Sequence, residues 1–231
     1  GDTGSAVAAG FYEVPGIQVF ILYPKGKVSY LQEKQLTTWG KNITAIEVEG
    51  TFDDCQVLVK QLLSDTELNA KLKITSANSI NIARLIPQSF YYFSSYAQLQ
   101  SLGKPIVYAV PSGNFGNLTG GILAQKMGLP IRQFIAATNM NDVVPQYLKS
   151  GLYQPQSSKA TISNAMDVGA PSNFERLQNF FPLFTDFHEA IQGFSYTDEQ
   201  TGAIMKKVYE TYGYQLDPHG AVAYMGLMEY L

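Results

Sequence analysis

Apolar residues return along this chain at two different intervals, and the two alternate. Ile17–Tyr23 (IQVFILY) is an unbroken, β-branched run entered through Pro15-Gly16, and it predicts a strand. A three-to-four residue spacing then predicts a helix over Ser29–Trp39, with Ser29 and Gln32 in capping-box register and Gly40 just past its end. Ile43–Val48 predicts a second strand. Thr51–Leu63 predicts a helix opened by Thr51, with Asp53 and Asp54 in the first turn, where the helix dipole favours anions. Leu72–Thr75 reads as a short strand, and a long helical pattern runs from about Ile80 to Leu102. The rhythm then repeats with strands at Ile106–Val110 and Ile131–Ala137 and helices at Asn117–Met127, stopped by Gly128, and Asn141–Ser150. Residues 152–187 show no period, which suggests functional or interface loops. Helices at about Thr197–Tyr212 and Ala221–Leu231 close the chain. Apolar runs flanked by amphipathic helices are what a parallel sheet covered on both faces produces. The expectation is an α/β fold of two lobes with mainly parallel sheets flanked by helices: a smaller lobe over residues 1–90 and a larger one over 91–231.

Composition narrows the classes of function. A chain of 231 residues, 45% apolar and 15% charged, can bury a sizeable core and does not read as disordered. Its net charge of −3, with no long run of either sign, argues against a nucleic-acid surface. The one cysteine, Cys55, excludes an intrachain disulfide and points to a reducing compartment, most simply the cytoplasm. With only His188 and His219 besides, a multi-ligand metal site lacks its usual ligands, and none is expected. The charge-free stretch Pro105–Gln125 could cross a bilayer by length. Its prolines, its four glycines and its asparagines reject that reading. The chain starts at Gly1 without a leader and ends in a helix without a stop signal, so it is expected to be a piece of a longer protein.

The sharpest local signal is Ser112-Gly113-Asn114-Phe115-Gly116-Asn117, between a predicted strand and a predicted helix. Free backbone N–H groups and the helix dipole collect an anion at such a junction. Gly113 and Gly116 would let the main chain approach a phosphate, and the asparagine and serine side chains would add donors. Neither a P-loop nor a dinucleotide fingerprint is present. A small phosphate group suits the loop, and a tight turn with an Asn cap is the alternative. Gly1-Asp2-Thr3-Gly4-Ser5, ahead of a helical Ala6–Phe11 run, is a second candidate, although its residues also serve as ordinary caps. Ser76–Asn81 followed by Arg84 is a third, because guanidinium gives a forked, permanent cation; an Arg on a solvent face is the alternative. Lys25 and Lys27 add cations beside a strand end, or are simply solvated. Cys55 reads as a packing residue and His188 as a surface or packing residue. His219, in Asp217-Pro218-His219-Gly220, is either a turn residue or a pH-tunable group.

Six segments occur here in the order found in threonine synthases of the long bacterial and fungal form. They are GDTGSA at 1–6, LYPKG at 22–26, QEKQ at 32–35, NSINIAR at 78–84, PSGNFGN at 111–117 and ISNAMDV at 162–168. The chain resembles that family over essentially its whole length. The resemblance implies an enzyme of the tryptophan-synthase-β type (fold type II) with pyridoxal 5'-phosphate as cofactor. The reaction it implies is conversion of O-phospho-L-homoserine and water to L-threonine and phosphate. It also implies that Gly113, Asn114, Phe115, Gly116 and Asn117 hold the cofactor phosphate, with 91–231 as the cofactor-phosphate lobe and 1–90 as the substrate side. Asp2, Thr3, Gly4 and Ser5 would face the amino-acid end of a small phosphorylated substrate. Ser79, Asn81 and Arg84 would grip its phosphate, with Lys25, Asn164 and Asp167 nearby. The family's Schiff-base lysine stands in a Phe-Lys-Asp motif, and none of the 13 lysines here has that context. Nor does the Thr-Ala-His-Pro-Ala-Lys segment occur. The expectation is therefore no catalytic residue within this chain, no turnover by it alone, retained capacity for phosphate or sulfate, and homo-oligomers that bury incompletely covered sheet surfaces. A serine/threonine dehydratase or cysteine synthase of the same fold type is the rival enzyme reading. A non-catalytic protein that binds phosphorylated ligands is the rival outside that class.

Overall fold

A computed structural model describes residues 2–231, with side chains from residue 3 onward. The chain divides into two compact units, 1–81 and 82–231. In the first, strands β1 (Val19–Pro24) and β2 (Ile43–Val48) pair in parallel, Val19 opposite Ile43 and Pro24 opposite Val48. Helix α1 (Asp2–Phe11), α2 (Tyr30–Thr37), α3 (Phe52–Ser64) and α4 (Thr66–Lys71) complete this unit. The capping box read at Ser29 is present: Ser29 Oγ accepts the Gln32 N–H at 3.3 Å and Gln32 Oε1 accepts the Ser29 N–H at 3.2 Å. A second box closes on Thr51, whose N–H donates to Asp54 Oδ2 at 2.7 Å. Ala8, Ile21, Tyr23, Leu36 and Ile43 form its small core.

Two expectations fail here. The loop expected at residues 1–5 is helical from Asp2. Gly4 lies where a Cβ would come 2.8 Å from Leu36 Cδ2, so the glycine serves packing of α1 on the core. Gly1 and the Asp2 side chain lie outside the described residues. Leu72–Thr75 is not a strand: Leu72 ends α4 and the segment stays irregular, with Leu72 exposed.

The second unit is a three-stranded parallel sheet, β3 (Ile106–Pro111), β4 (Ile131–Thr138) and β5 (Ile191–Ser195), in the order β3-β4-β5. One face carries α5 (Ile86–Leu99) and α6 (Gly116–Lys126). Tyr92, Leu118, Ile122 and Phe134 meet there in a core that continues through α7 (Val143–Ser150), α8 (Phe174–Phe180) and α9 (Phe184–Ala190). The other face carries α11 (Pro218–Tyr230), flanked by α10 (Asp198–Tyr212). Gly226 lets α11 approach, since a Cβ there would stand 3.1 Å from Ala137 Cβ. The helical run expected from Ile80 to Leu102 is broken into a 3-10 turn at Ile82–Arg84, α5, and a second 3-10 turn at Gln100–Leu102. Pro87 explains the break, because it cannot donate to a preceding turn and sits where helices begin. The aperiodic stretch 152–187 holds α8 and most of α9, and β5 follows directly. Among the described residues no helix is long and apolar enough to cross a membrane.

Candidate functional site

Parallel strands place their carboxyl ends on one edge, and polar groups of the second unit gather there. The chain leaves β3 at Pro111, and the Ser112 N–H donates to Ala137 O at 2.8 Å, continuing the ladder by one bond. It then turns sharply. Phe115 has φ 60° and ψ 13°, a left-handed conformation, and forms the N-cap of α6 while its ring lies buried in the core. No side chain caps this helix.

The first helical bond at this end runs from the Thr119 N–H to Phe115 O at 2.9 Å. Among the described residues, the N–H groups of Gly113, Phe115, Gly116, Asn117 and Leu118 donate to no protein acceptor. Several outward amides at a helix start carry a partial positive charge and favour an anion. The side chains, by contrast, are engaged elsewhere. Ser112 Oγ donates to Val110 O at 2.8 Å. Asn114 Oδ1 accepts from the Ser172 N–H at 2.6 Å, and Asn114 O accepts from Asn173 Nδ2 at 2.9 Å. Asn117 Oδ1 accepts from Tyr92 Oη at 2.7 Å, and its Nδ2 donates to Gln88 Oε1 at 3.4 Å. Ser112 Oγ and Asn117 Nδ2 thus donate to protein partners and Asn114 Oδ1 accepts from one, so these side chains build the loop, while those main-chain amides have no protein acceptor among the described residues. The Asn-cap alternative fails too, because the cap is Phe115.

The 161–168 segment lies against this loop. A Cβ on Gly113 would come 2.6 Å from Met166 Cα and 3.1 Å from Ala165 O, within the 3-10 turn Asn164–Met166. Asp167 anchors the segment: it accepts the Thr161 N–H at 3.0 Å, Thr161 Oγ1 at 2.7 Å, Asn139 Nδ2 at 3.0 Å and Asn141 Nδ2 at 3.3 Å. Asn139 is 1% exposed and follows β4 directly, and its Oδ1 accepts the Asn141 N–H at 2.9 Å. The role of this asparagine is missed by sequence reasoning, although Asn-x-Asn after a strand carries an Asx-turn signature. Ser172 and Asn173 are missed as well, with no local signal to find them. Asn164 is exposed on the turn.

The remaining candidates divide between the two units. Ser79 and Asn81 sit in a turn of the first unit, where the Asn81 N–H donates to Asn78 O at 2.9 Å and Asn81 Nδ2 to Ser76 O at 3.0 Å. Lys25 follows β1 and pairs with Glu49 at 2.6 Å on an exposed surface. Arg84 belongs to the second unit, half-buried. Its carbonyl accepts Gln88 Nε2 at 2.8 Å, and Gln88 in turn bonds Asn117, so Arg84 and the α6 start share one network. Cys55 is buried, and burial raises its thiol pKa, as the packing reading requires. Among the described residues no cluster of His, Cys, Asp and Glu could hold a metal.

Amides without a protein acceptor among the described residues stand at the carboxyl end of a parallel strand, in an α/β unit with helices on both faces of its sheet. The chain belongs to the pyridoxal-phosphate dependent enzyme family, whose description matches residues 1–231. It is 48% identical to threonine synthase of Escherichia coli over 232 residues, covering 100% of this chain and 54% of that protein. The crystal structure of that enzyme superposes with a TM-score of 0.91. A structure of pyridoxal-phosphate-bound threonine synthase from Brucella melitensis superposes at 0.85 with 35% identity, covering 100% of this chain and 55% of that one. Serine racemase from Dictyostelium discoideum, 18% identical, shares the fold at 0.66, covering 99% and 67% of the two chains. The expected α/β architecture of fold type II is therefore present. The chain spans about half the length of the threonine synthases it matches.

Proposed function

We propose that this chain is the part of a threonine synthase that holds the cofactor phosphate, in a protein converting O-phospho-L-homoserine and water to L-threonine and phosphate. The row of unpartnered amides at Gly113, Phe115, Gly116 and Asn117 carries this reading, and it suits a phosphate dianion better than a neutral group. Bound there, pyridoxal phosphate would supply an electron sink for carbanion chemistry at the substrate. The chain's own contribution is placement. Asn114 is clamped by Ser172 and Asn173, Asn117 by Tyr92 and Gln88, and Gly113 by Met166, so the amides hold their direction without a ligand.

For the substrate phosphate, Arg84 is read as the cation of this unit; its carbonyl is joined to the loop through Gln88 and Asn117. Within the first unit, Ser79, Asn81 and Lys25 are separate candidates for a phosphate, and Asp2, Thr3, Gly4 and Ser5 for the amino-acid end of the substrate. Asn164 faces outward and remains a candidate contact. Asp167 acts as a positioning residue, since its carboxylate already accepts from Thr161, Asn139 and Asn141. The sole cysteine, buried and reduced, suits a cytoplasmic enzyme.

The reading is tested by titrating the ¹⁵N-labelled chain with sulfate and then with pyridoxal phosphate. Shifts centred on Gly116 and Asn117 are expected, and shifts confined to surface lysines would overturn it. O-phospho-L-homoserine should bind about tenfold more weakly to Arg84→Ala, one charged hydrogen bond being involved. Equal loss for L-serine would favour a dehydratase instead. The chain by itself, lacking the Phe-Lys-Asp lysine, is expected to release no threonine.

A further inference from the structure

His219 takes no part in that scheme, yet it touches the segment that lies against the amide row. It is the second residue of α11. Its Nδ1 stands 3.2 Å from Asp217 Oδ1, and its Nε2 accepts the Ala165 N–H at 3.3 Å. Only a neutral ring with its proton on Nδ1 satisfies both contacts: Nε2 must keep its lone pair, and the carboxylate needs a donor. Ala165 is also the residue whose carbonyl, together with Met166 Cα, sits on Gly113. Val222, one turn beyond His219, packs with Met166 and Ala137, so the ring and the turn share one rigid base at the strand ends.

We propose that His219 is a proton-operated latch on the anion loop. Neutral, it holds the Asn164–Met166 turn against Gly113. Protonated, it presents Nε2–H to the Ala165 N–H, the bond is lost, and the turn loosens its hold on the amide row. The contact to Asp217 survives in both states because Nδ1 donates in each, so protonation changes one bond selectively. The charged groups of this cluster are Asp217 on its own helix, Asp198 of α10, which accepts the Ile162 N–H at 3.2 Å, and Asp167 within the segment. Hydrogen bonds from the Gly220 and His219 N–H groups hold the Asp217 carboxyl below its usual range, which favours its charged form. The inference rests on residues 113–117 being an anion cradle.

The test uses the ¹⁵N-labelled chain between about pH 8 and about pH 5, where imidazole ordinarily changes charge. Two quantities are read: the Ala165 amide protection factor, and sulfate affinity from the Gly116 and Asn117 shifts. Sulfate is the probe because its own charge is constant over that range. Ala165 protection is expected to fall about tenfold on acidification, as for one lost hydrogen bond, with sulfate affinity falling alongside. In His219→Gln, whose amide can accept from Ala165 and donate to Asp217 at any pH, both should stay at the high-pH level. His219→Phe should be low throughout. Protection that does not change with pH in the unaltered chain, or a pH dependence that survives in His219→Gln, overturns the latch. Sulfate that binds at no pH overturns the cradle itself, whereas sulfate that binds with pH-independent affinity overturns the latch alone.

Discussion

Phe115 joins a left-handed main chain to a ring buried in the core, and the two need each other. A non-glycine residue held at φ 60° costs on the order of 1 kcal/mol, which burial of the aromatic ring offsets several-fold. Phe115→Gly would relieve the backbone and empty the pocket, so a net loss of about 2–4 kcal/mol is expected in urea unfolding. Gly113→Ala meets backbone atoms 2.6 Å away, which cannot turn aside as a flexible side chain would. Overpacking of this kind costs about 1–3 kcal/mol, and sulfate affinity should fall with it. Asp217 caps α11 through the His219 and Gly220 N–H groups at 2.6 and 2.9 Å. Asp217→Ala should cost about 1 kcal/mol at neutral pH. Because the Asp217 pKa is depressed in the fold, its charge-dependent share is present above the unfolded value of about 4 and disappears as pH falls through the folded one. Urea midpoints of the two proteins should therefore converge in acid.

Helix α6 shows how an element's end and its middle answer to different forces. Its start carries no side-chain cap and leaves main-chain N–H groups without a protein acceptor among the described residues. Its centre is shaped by contact, since a Cβ on Gly121 would lie 2.5 Å from Phe134 Cε1 and 2.7 Å from Tyr92 Cζ. Gly121→Ala improves helix propensity by about 1 kcal/mol but overpacks the α5–α6–β4 junction by about 1–3 kcal/mol, so a lower melting temperature is expected. Elements signalled by local chemistry are legible in the residues themselves: β2 matches its expected span, and the boxes at Ser29 and Thr51 open α2 and α3. Strand β5 is not, because IQGFS alternates poorly and carries a glycine. That glycine is explained by its tertiary neighbours, Leu148 Cδ1 at 2.7 Å and Pro145 Cα at 3.0 Å from where its Cβ would be. Leu72–Thr75 has strand composition but pairs with no strand among the described residues, and composition alone does not make a ladder.

The two units differ in how much they can bury. The first has a two-stranded sheet and a core of five buried side chains, with Phe20 62% exposed on β1. Two-stranded sheets are marginal alone. Residues 1–81 are therefore expected to exchange their amides and unfold in urea before 82–231, as read by native-state hydrogen exchange. A single concerted transition for all protected amides would contradict this. Exposed strand faces and edges of this kind also favour self-association, so sedimentation should show mass rising with concentration, reduced in Phe20→Lys.

Strand β2, the caps at Ser29 and Thr51 and the place of the loop at 112–117 between a strand and a helix are determined by the sequence alone, because each depends on residues within one or two turns of one another. So are the ordered segments that resemble threonine synthases. Which polar groups of that loop remain open to a ligand is decided only in the tertiary structure. Ser172 lies 58 residues from Asn114, and His219 lies 54 from Ala165. Whether an asparagine donates to a neighbour or to a ligand depends on what the tertiary fold brings beside it, and no local spacing encodes that.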